Sequence, residues 1–105
     1  MKLPACQHVE RALSQAESLL ERLRTAPSRD SSTVDSLIQY THTAHDSSLA
    51  CKNHLSAMMF LATSEAAKKL LAAENILMFR LKVRDVQLFL AEARKYWAAQ
   101  ETTKN

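Results

Sequence analysis

The feature that most constrains the fold of this chain is the complete absence of glycine from its 105 residues. Average usage of about 7% would place roughly seven glycines in a chain of this length. Tight turns that need a positive φ are difficult to build without them, so hairpin-rich β structure is disfavoured. Because the chain has only two prolines and is rich in alanine, leucine, glutamate, lysine and arginine, we expect long helices.

A heptad pattern marks the first helix, which we predict over residues 5–25. From Cys6 to Leu23, apolar residues recur at alternating spacings of three and four, and charged residues lie between them. The pattern ends before Pro27, which disfavours helical geometry in the preceding residue. The sequence PSRDSST then supplies turn and capping residues, and we expect Ser32 or Thr33 to cap the next helix.

The same spacing continues from Val34 to Ala62 and predicts a second helix over residues 33–63. Its middle is rich in threonine, serine and histidine, which are poor residues for a helix interior. The pattern therefore leaves open a kink or a break near residues 41–47.

A turn at residues 63–65 is expected to begin the third helix, which we predict over residues 65–100, with Ser64 as its cap. Together the segments predict an all-α fold. Residues 1–105 should form a single domain, an antiparallel three-helix bundle of coiled-coil type with a long C-terminal helix.

The apolar seams of the first two helices predict their register. If the helices fold back on each other around the Pro27 turn, every seam residue of the first helix meets a seam residue of the second. This register places Cys6 opposite Cys51 at one end and Leu23 opposite Val34 at the other. A slip by one helical turn remains an alternative.

The C-terminal helix is apolar on two sides. At about 100° per residue, one side carries eight large apolar residues and the other carries six. The first set is Leu70, Leu71, Leu77, Met78, Leu81, Leu88, Phe89 and Tyr96, and the second is Ile76, Phe79, Val83, Val86, Leu90 and Trp97.

Two shorter helices cannot cover both sides of such a helix, so we predict an exposed apolar patch that binds a protein partner. We assign the partner-binding role to the second set, Ile76, Phe79, Val83, Val86, Leu90 and Trp97. Two alternatives remain: the first helix packs on this set and leaves the side from Leu70 to Phe89 exposed, or the bundle closes over both sides.

Histidine and cysteine raise the question of a metal site. His42 and His45 are three residues apart on one helix, and Cys51 and His54 follow. In the predicted register, Cys6, His8, Cys51 and His54 would converge and have the ligand types that zinc prefers. Free cysteines are more commonly small buried apolar residues, so we interpret Cys6 and Cys51 as seam residues and predict no metal and no cofactor.

The sequence offers no arrangement of catalytic residues. It lacks a nucleophile motif and the glycine-rich loops that bind phosphates, and none of its histidines has the lysine and glycine that follow a phosphotransfer histidine. We therefore predict that the protein is not an enzyme.

Charge does not favour a nucleic-acid partner. The net charge is +3 and the sequence pI is about 9.1. The basic residues of the C-terminal helix scatter around its axis and alternate with acidic ones, so they form no stripe that could follow a phosphate backbone. Tyr96 and Trp97 are better explained as packing or interface residues than as platforms for base stacking.

These patterns predict a helical protein–protein interaction module, such as an adaptor, an assembly subunit or a chaperone-like protein. It would bind a protein partner, or a second copy of itself, through the C-terminal helix. The alternative is a small dimeric helical regulator that binds nucleic acid. The longest apolar-rich run, residues 55–64, is much shorter than the roughly 18 residues of a membrane span, so we expect a cytoplasmic protein without a membrane segment.

Overall fold

The computed structural model describes residues 4–26 and 28–103, with side chains described as far as residue 99. This part of the chain is all-helical and contains no strand, as the sequence predicts. Its four α-helices are α1 (Pro4–Thr25), α2 (Ser31–Ala50), α3 (His54–Lys68) and α4 (Ile76–Thr103), and a 3-10 turn at Leu70–Ala72 precedes α4.

The helices form an antiparallel bundle of four rather than the predicted three. Each helix packs against the next along the chain, and α1 also packs against α4, which closes the ring. The bundle is elongated, with Cα extents of 46 × 19 × 19 Å. The 28 residues of α4 would span about 42 Å, so this helix runs nearly the whole length of the bundle.

The predicted second helix ends earlier than expected, because the chain reverses direction at residues 51–53. The amide of Asn53 donates to the Ser48 carbonyl (2.9 Å) and that of Lys52 to the Leu49 carbonyl (3.0 Å), a Schellman arrangement. Lys52 adopts φ 64°, the left-handed geometry that usually belongs to glycine at this position. A lysine thus makes the turn for which the sequence offers no glycine.

The break considered near residues 41–47 does not occur. The Thr41 hydroxyl, which could have favoured a turn, donates instead to the carbonyls of Leu37 and Ile38, both at 3.0 Å. This bonding satisfies a buried polar side chain within the helix, so α2 continues without interruption to Ala50.

The turn predicted at residues 63–65 is also wrong. The Thr63 hydroxyl donates to the Met59 carbonyl (2.7 Å), and Ser64 is buried inside α3 rather than capping a new helix. The chain turns only at residues 69–75, and the last helix therefore begins at Ile76 instead of residue 65.

Side chains of aspartate and asparagine begin the last three helices. Asp30 accepts a hydrogen bond from the Thr33 amide (3.3 Å), so neither Ser32 nor Thr33 is the cap that the sequence suggested. Asn53 accepts from the Ser56 amide (3.1 Å) and Asn75 from the Met78 amide (2.9 Å). Each bond satisfies one of the free amides at a helix N-terminus.

The register predicted between the first two helices is confirmed at its outer end. Cys6 and Cys51 form a disulfide, with their Cα atoms 5.5 Å apart. The seam residues of α1 and α2 that this register pairs are also buried, whereas Leu55 and Met58, later in the same predicted series, are exposed on α3. Pro27, around which we centred the turn, lies outside the described residues.

Candidate interaction surface on the C-terminal helix

The row that we assigned to partner binding is part of the core. Five of its members, Phe79, Val83, Val86, Leu90 and Trp97, are almost completely buried, and Ile76 is partly buried against them. The expectation that this row is exposed is therefore wrong. The physical reason is that both α1 and α3 pack against α4. This row of α4 faces the core that the helices share.

Polar contacts fix the buried side of α4 against α1. The indole nitrogen of Trp97 donates to Glu10 (2.6 Å), so the polar edge of this buried ring is satisfied within the bundle. Arg94 makes two hydrogen bonds to the carboxylate of Glu17, at 2.6 and 2.7 Å. The Glu17 carboxylate thereby raises the pKa of Arg94 above its ordinary value. These contacts hold the rotation of α4 about its axis.

The opposite side of α4 is exposed, as in the alternative in which the first helix packs on the row assigned to partner binding. Leu70, which that alternative also left exposed, is buried in the turn before α4. Leu77 and Leu88 are 67% and 61% exposed, and Leu81 between them is about half exposed. Beside this line, Met78, Phe89 and Tyr96 are less exposed. We call these six residues the outer face of α4: Leu77, Met78, Leu81, Leu88, Phe89 and Tyr96.

Helix α3, which packs beside α4, also exposes large apolar side chains. Leu55, Met58 and Leu61 are exposed on it, and α3 packs along α4. A groove runs between the two helices and is lined by apolar and charged side chains, namely Ala62, Glu65, Ala66, Lys69, Lys82, Asp85 and Phe89. A partner lying across the outer face would meet this groove at Phe89.

Charged residues near the outer face include both signs. Lys68 pairs with Glu65 (3.1 Å) and Lys95 pairs with Glu92 (3.3 Å). With Arg94 occupied by Glu17, several of the basic residues that could have met phosphates have acidic neighbours instead.

The cysteines and the nearby histidines do not form the zinc site considered from the sequence. Cys6 and Cys51 are bonded to each other and buried, so their sulfurs do not serve as thiolate ligands. Disulfides persist mainly in oxidising compartments, and this pair therefore counts against the cytoplasmic location that we expected.

A different group of metal-ligating side chains lies on α2. His42, His45 and Asp46 bring their ligand atoms within 4.8 Å of one another. The two histidines were candidates from their spacing, whereas Asp46 was missed. It could have been found from the sequence, because residues four apart on a helix, such as 42 and 46, are neighbours.

Comparisons with known proteins add no identification. No protein-family model, no curated protein and no solved structure matches this chain. Among the described residues, no helix combines the length and the apolar character needed to cross a membrane.

Proposed function

We propose that this protein is a non-enzymatic helical interaction module that binds a protein partner, or a second copy of itself, through the outer face of α4. One observation supports this role most directly: six large apolar side chains are exposed on one long helix. Scattered exposed apolar residues are ordinary, but six large ones on one side of a single helix, even with charged residues between them, are typical of interfaces.

The spacing of this face suits a helical partner. Leu77, Leu81 and Leu88 follow one line along α4, as the apolar residues of a packing helix do. Phe89 and Tyr96 lie beside that line and supply aromatic side chains, which often contribute strongly at interfaces. The polar contacts of Arg94 and Trp97 to α1 lie on the far side of α4 and leave this face available for binding.

The test is a double variant, Leu81→Glu with Leu88→Glu. Both side chains are exposed, so the variant should stay folded by circular dichroism, with an unfolding free energy within about 1 kcal/mol of the parent protein. We expect it to lose self-association, measured by light scattering, or capture of the partner that the parent protein retains from its native source.

Leu49→Glu provides the matched control, because Leu49 is an exposed leucine on α2, which does not pack against α4. It should leave association intact. Association through apolar side chains should hold or strengthen as salt rises, whereas binding to nucleic acid should weaken steeply. The proposal fails if the folded double variant associates as the parent does, or if the parent neither self-associates nor retains a protein.

A further inference from the structure

We infer that His42, His45 and Asp46 form a binding site for a divalent transition metal of the zinc type on the surface of α2. The Nδ1 atom of His45 lies 3.0 Å from one Asp46 carboxylate oxygen, and the Nε2 atom of His42 lies 3.9 Å from the other. All three ligand atoms lie within 4.8 Å of one another. This inference is independent of the outer face of α4.

The distances fit a metal ion between the three groups. Zinc forms bonds of about 2.0 to 2.2 Å to imidazole nitrogen and carboxylate oxygen, so neighbouring ligand atoms in a tetrahedral complex are about 3.3 Å apart. The His45 Nδ1 atom lies near that distance from one Asp46 oxygen, whereas the His42 Nε2 atom lies 3.9 Å from the other, so the carboxylate would rotate to bind a shared ion. Small side-chain rotations would bring the third pair into range, and a water molecule would complete the coordination.

The burial of the three residues supports a partly prepared site. The His45 side chain is only 18% exposed, so its ring has little freedom to move. His42 and Asp46 are 57% and 64% exposed and can adjust around the ion. The two imidazole rings already stack, with centroids 5.8 Å apart. Two imidazoles with one carboxylate favour zinc, nickel or copper over magnesium or calcium, which prefer oxygen ligands.

The position of the site is separate from the disulfide and from the apolar surface. It lies on α2, which packs against α1 and α3 and not against α4. The sulfurs of Cys6 and Cys51 are bonded to each other, so the metal ligands would be the two imidazoles and the Asp46 carboxylate. A metal here would stabilise α2 by linking successive turns of the helix, since it would bind the folded state in preference to the unfolded chain.

Calorimetric titration of the full chain with zinc chloride tests the inference, with magnesium chloride as the comparison ion. We expect saturable one-to-one zinc binding at neutral pH and no magnesium binding. His42→Gln and His45→Gln should each raise the dissociation constant for zinc at least about tenfold, since each removes one of three ligands. Asp46→Asn should also weaken binding.

His54→Gln is the matched control, because His54 is an exposed histidine on α3 outside the cluster. It should leave the zinc affinity unchanged. The inference is overturned if zinc does not bind, or if His54→Gln weakens binding as much as His45→Gln does.

Discussion

The two hairpins of the bundle differ in how many of their sides are apolar. The hairpin of α1 and α2 has one apolar seam, and only two of the large apolar side chains exposed in the described chain, Tyr40 and Leu49, lie on it. The part from α3 to α4 has apolar residues on both its inner and its outer side. A helix with one apolar stripe specifies which side faces the core, whereas a helix with two stripes leaves that choice to its neighbours.

The largest predicted effect is the difference in unfolding free energy between alanine substitutions on the inner and the outer side of α4. Phe79→Ala removes a ring that is completely buried and should cost about 3 to 5 kcal/mol of unfolding free energy. Phe89→Ala removes a ring of the same size from the outer face, where it is 40% exposed, and should cost less, about 1 to 2 kcal/mol. Urea denaturation of both variants measures the difference. Equal costs would mean that the inner and outer sides of α4 are wrongly assigned.

Removal of the disulfide should be the change that most lowers the stability of the hairpin of α1 and α2. The bond joins residues separated by 45 positions, so Cys6→Ala should lower the unfolding free energy by about 2 to 4 kcal/mol. The main reason is that the unfolded chain gains conformational entropy when the crosslink is absent. Denaturation with and without a reducing agent provides the measurement. Reduction should destabilise the parent protein by a similar amount and leave the variant unchanged. Two readily alkylated thiols in the folded, non-reduced protein would contradict the bond.

The junction between the hairpins depends on Asn53. Asn53→Ala removes the oxygen that caps α3 and should cost about 1 kcal/mol, and Asn53→Ser should retain most of the stability because serine is also a good N-cap. Thermal denaturation of both variants can resolve this difference. Equal melting temperatures for the two variants would show that the side-chain cap contributes little at this junction.

A glycine substitution should act differently at the turns that begin and end α3. Lys52 has φ 64°, so Lys52→Gly should raise the unfolding free energy by up to about 1 kcal/mol. Lys69, at the end of α3, has φ −82° and ψ −9°, where a lysine is unstrained. Lys69→Gly should therefore destabilise the protein slightly. Chemical denaturation distinguishes the two, and stabilisation by both substitutions would contradict the assigned geometry.

The smallest effect concerns pH and the start of α2. Hydrogen bonds from the Thr33 hydroxyl and amide lower the pKa of Asp30. A carboxyl whose pKa is lower in the folded state stabilises the fold above its unfolded pKa, near 3.9, and this contribution is lost as the pH falls through the folded value. Asp30→Asn should thus lose less stability than the parent between neutral pH and pH about 3. Identical pH profiles would show that Asp30 does not contribute.

The sequence predicted the hairpin of α1 and α2 more accurately than the part from α3 to α4, because only the former has a single apolar seam. The seams of α1 and α2 placed Cys6 opposite Cys51, with a slip by one turn left open, and the structure joins the two in a disulfide that the sequence did not predict. For α4, the sequence does distinguish the two sides. The inner positions 79, 83, 86, 90, 93 and 97 are apolar without interruption, whereas Arg84 and Lys95 interrupt the outer line.

The sequence by itself determined the helical class, the first hairpin and the amphipathic spacing, because these depend on local propensity and on periodicity. The tertiary structure alone decided the number of helices and the side of α4 that is exposed. The first depended on Lys52 accepting a left-handed backbone and on Thr63 bonding within its own helix. The second depended on α1 packing against α4, a contact between the two ends of the chain that no local pattern encodes.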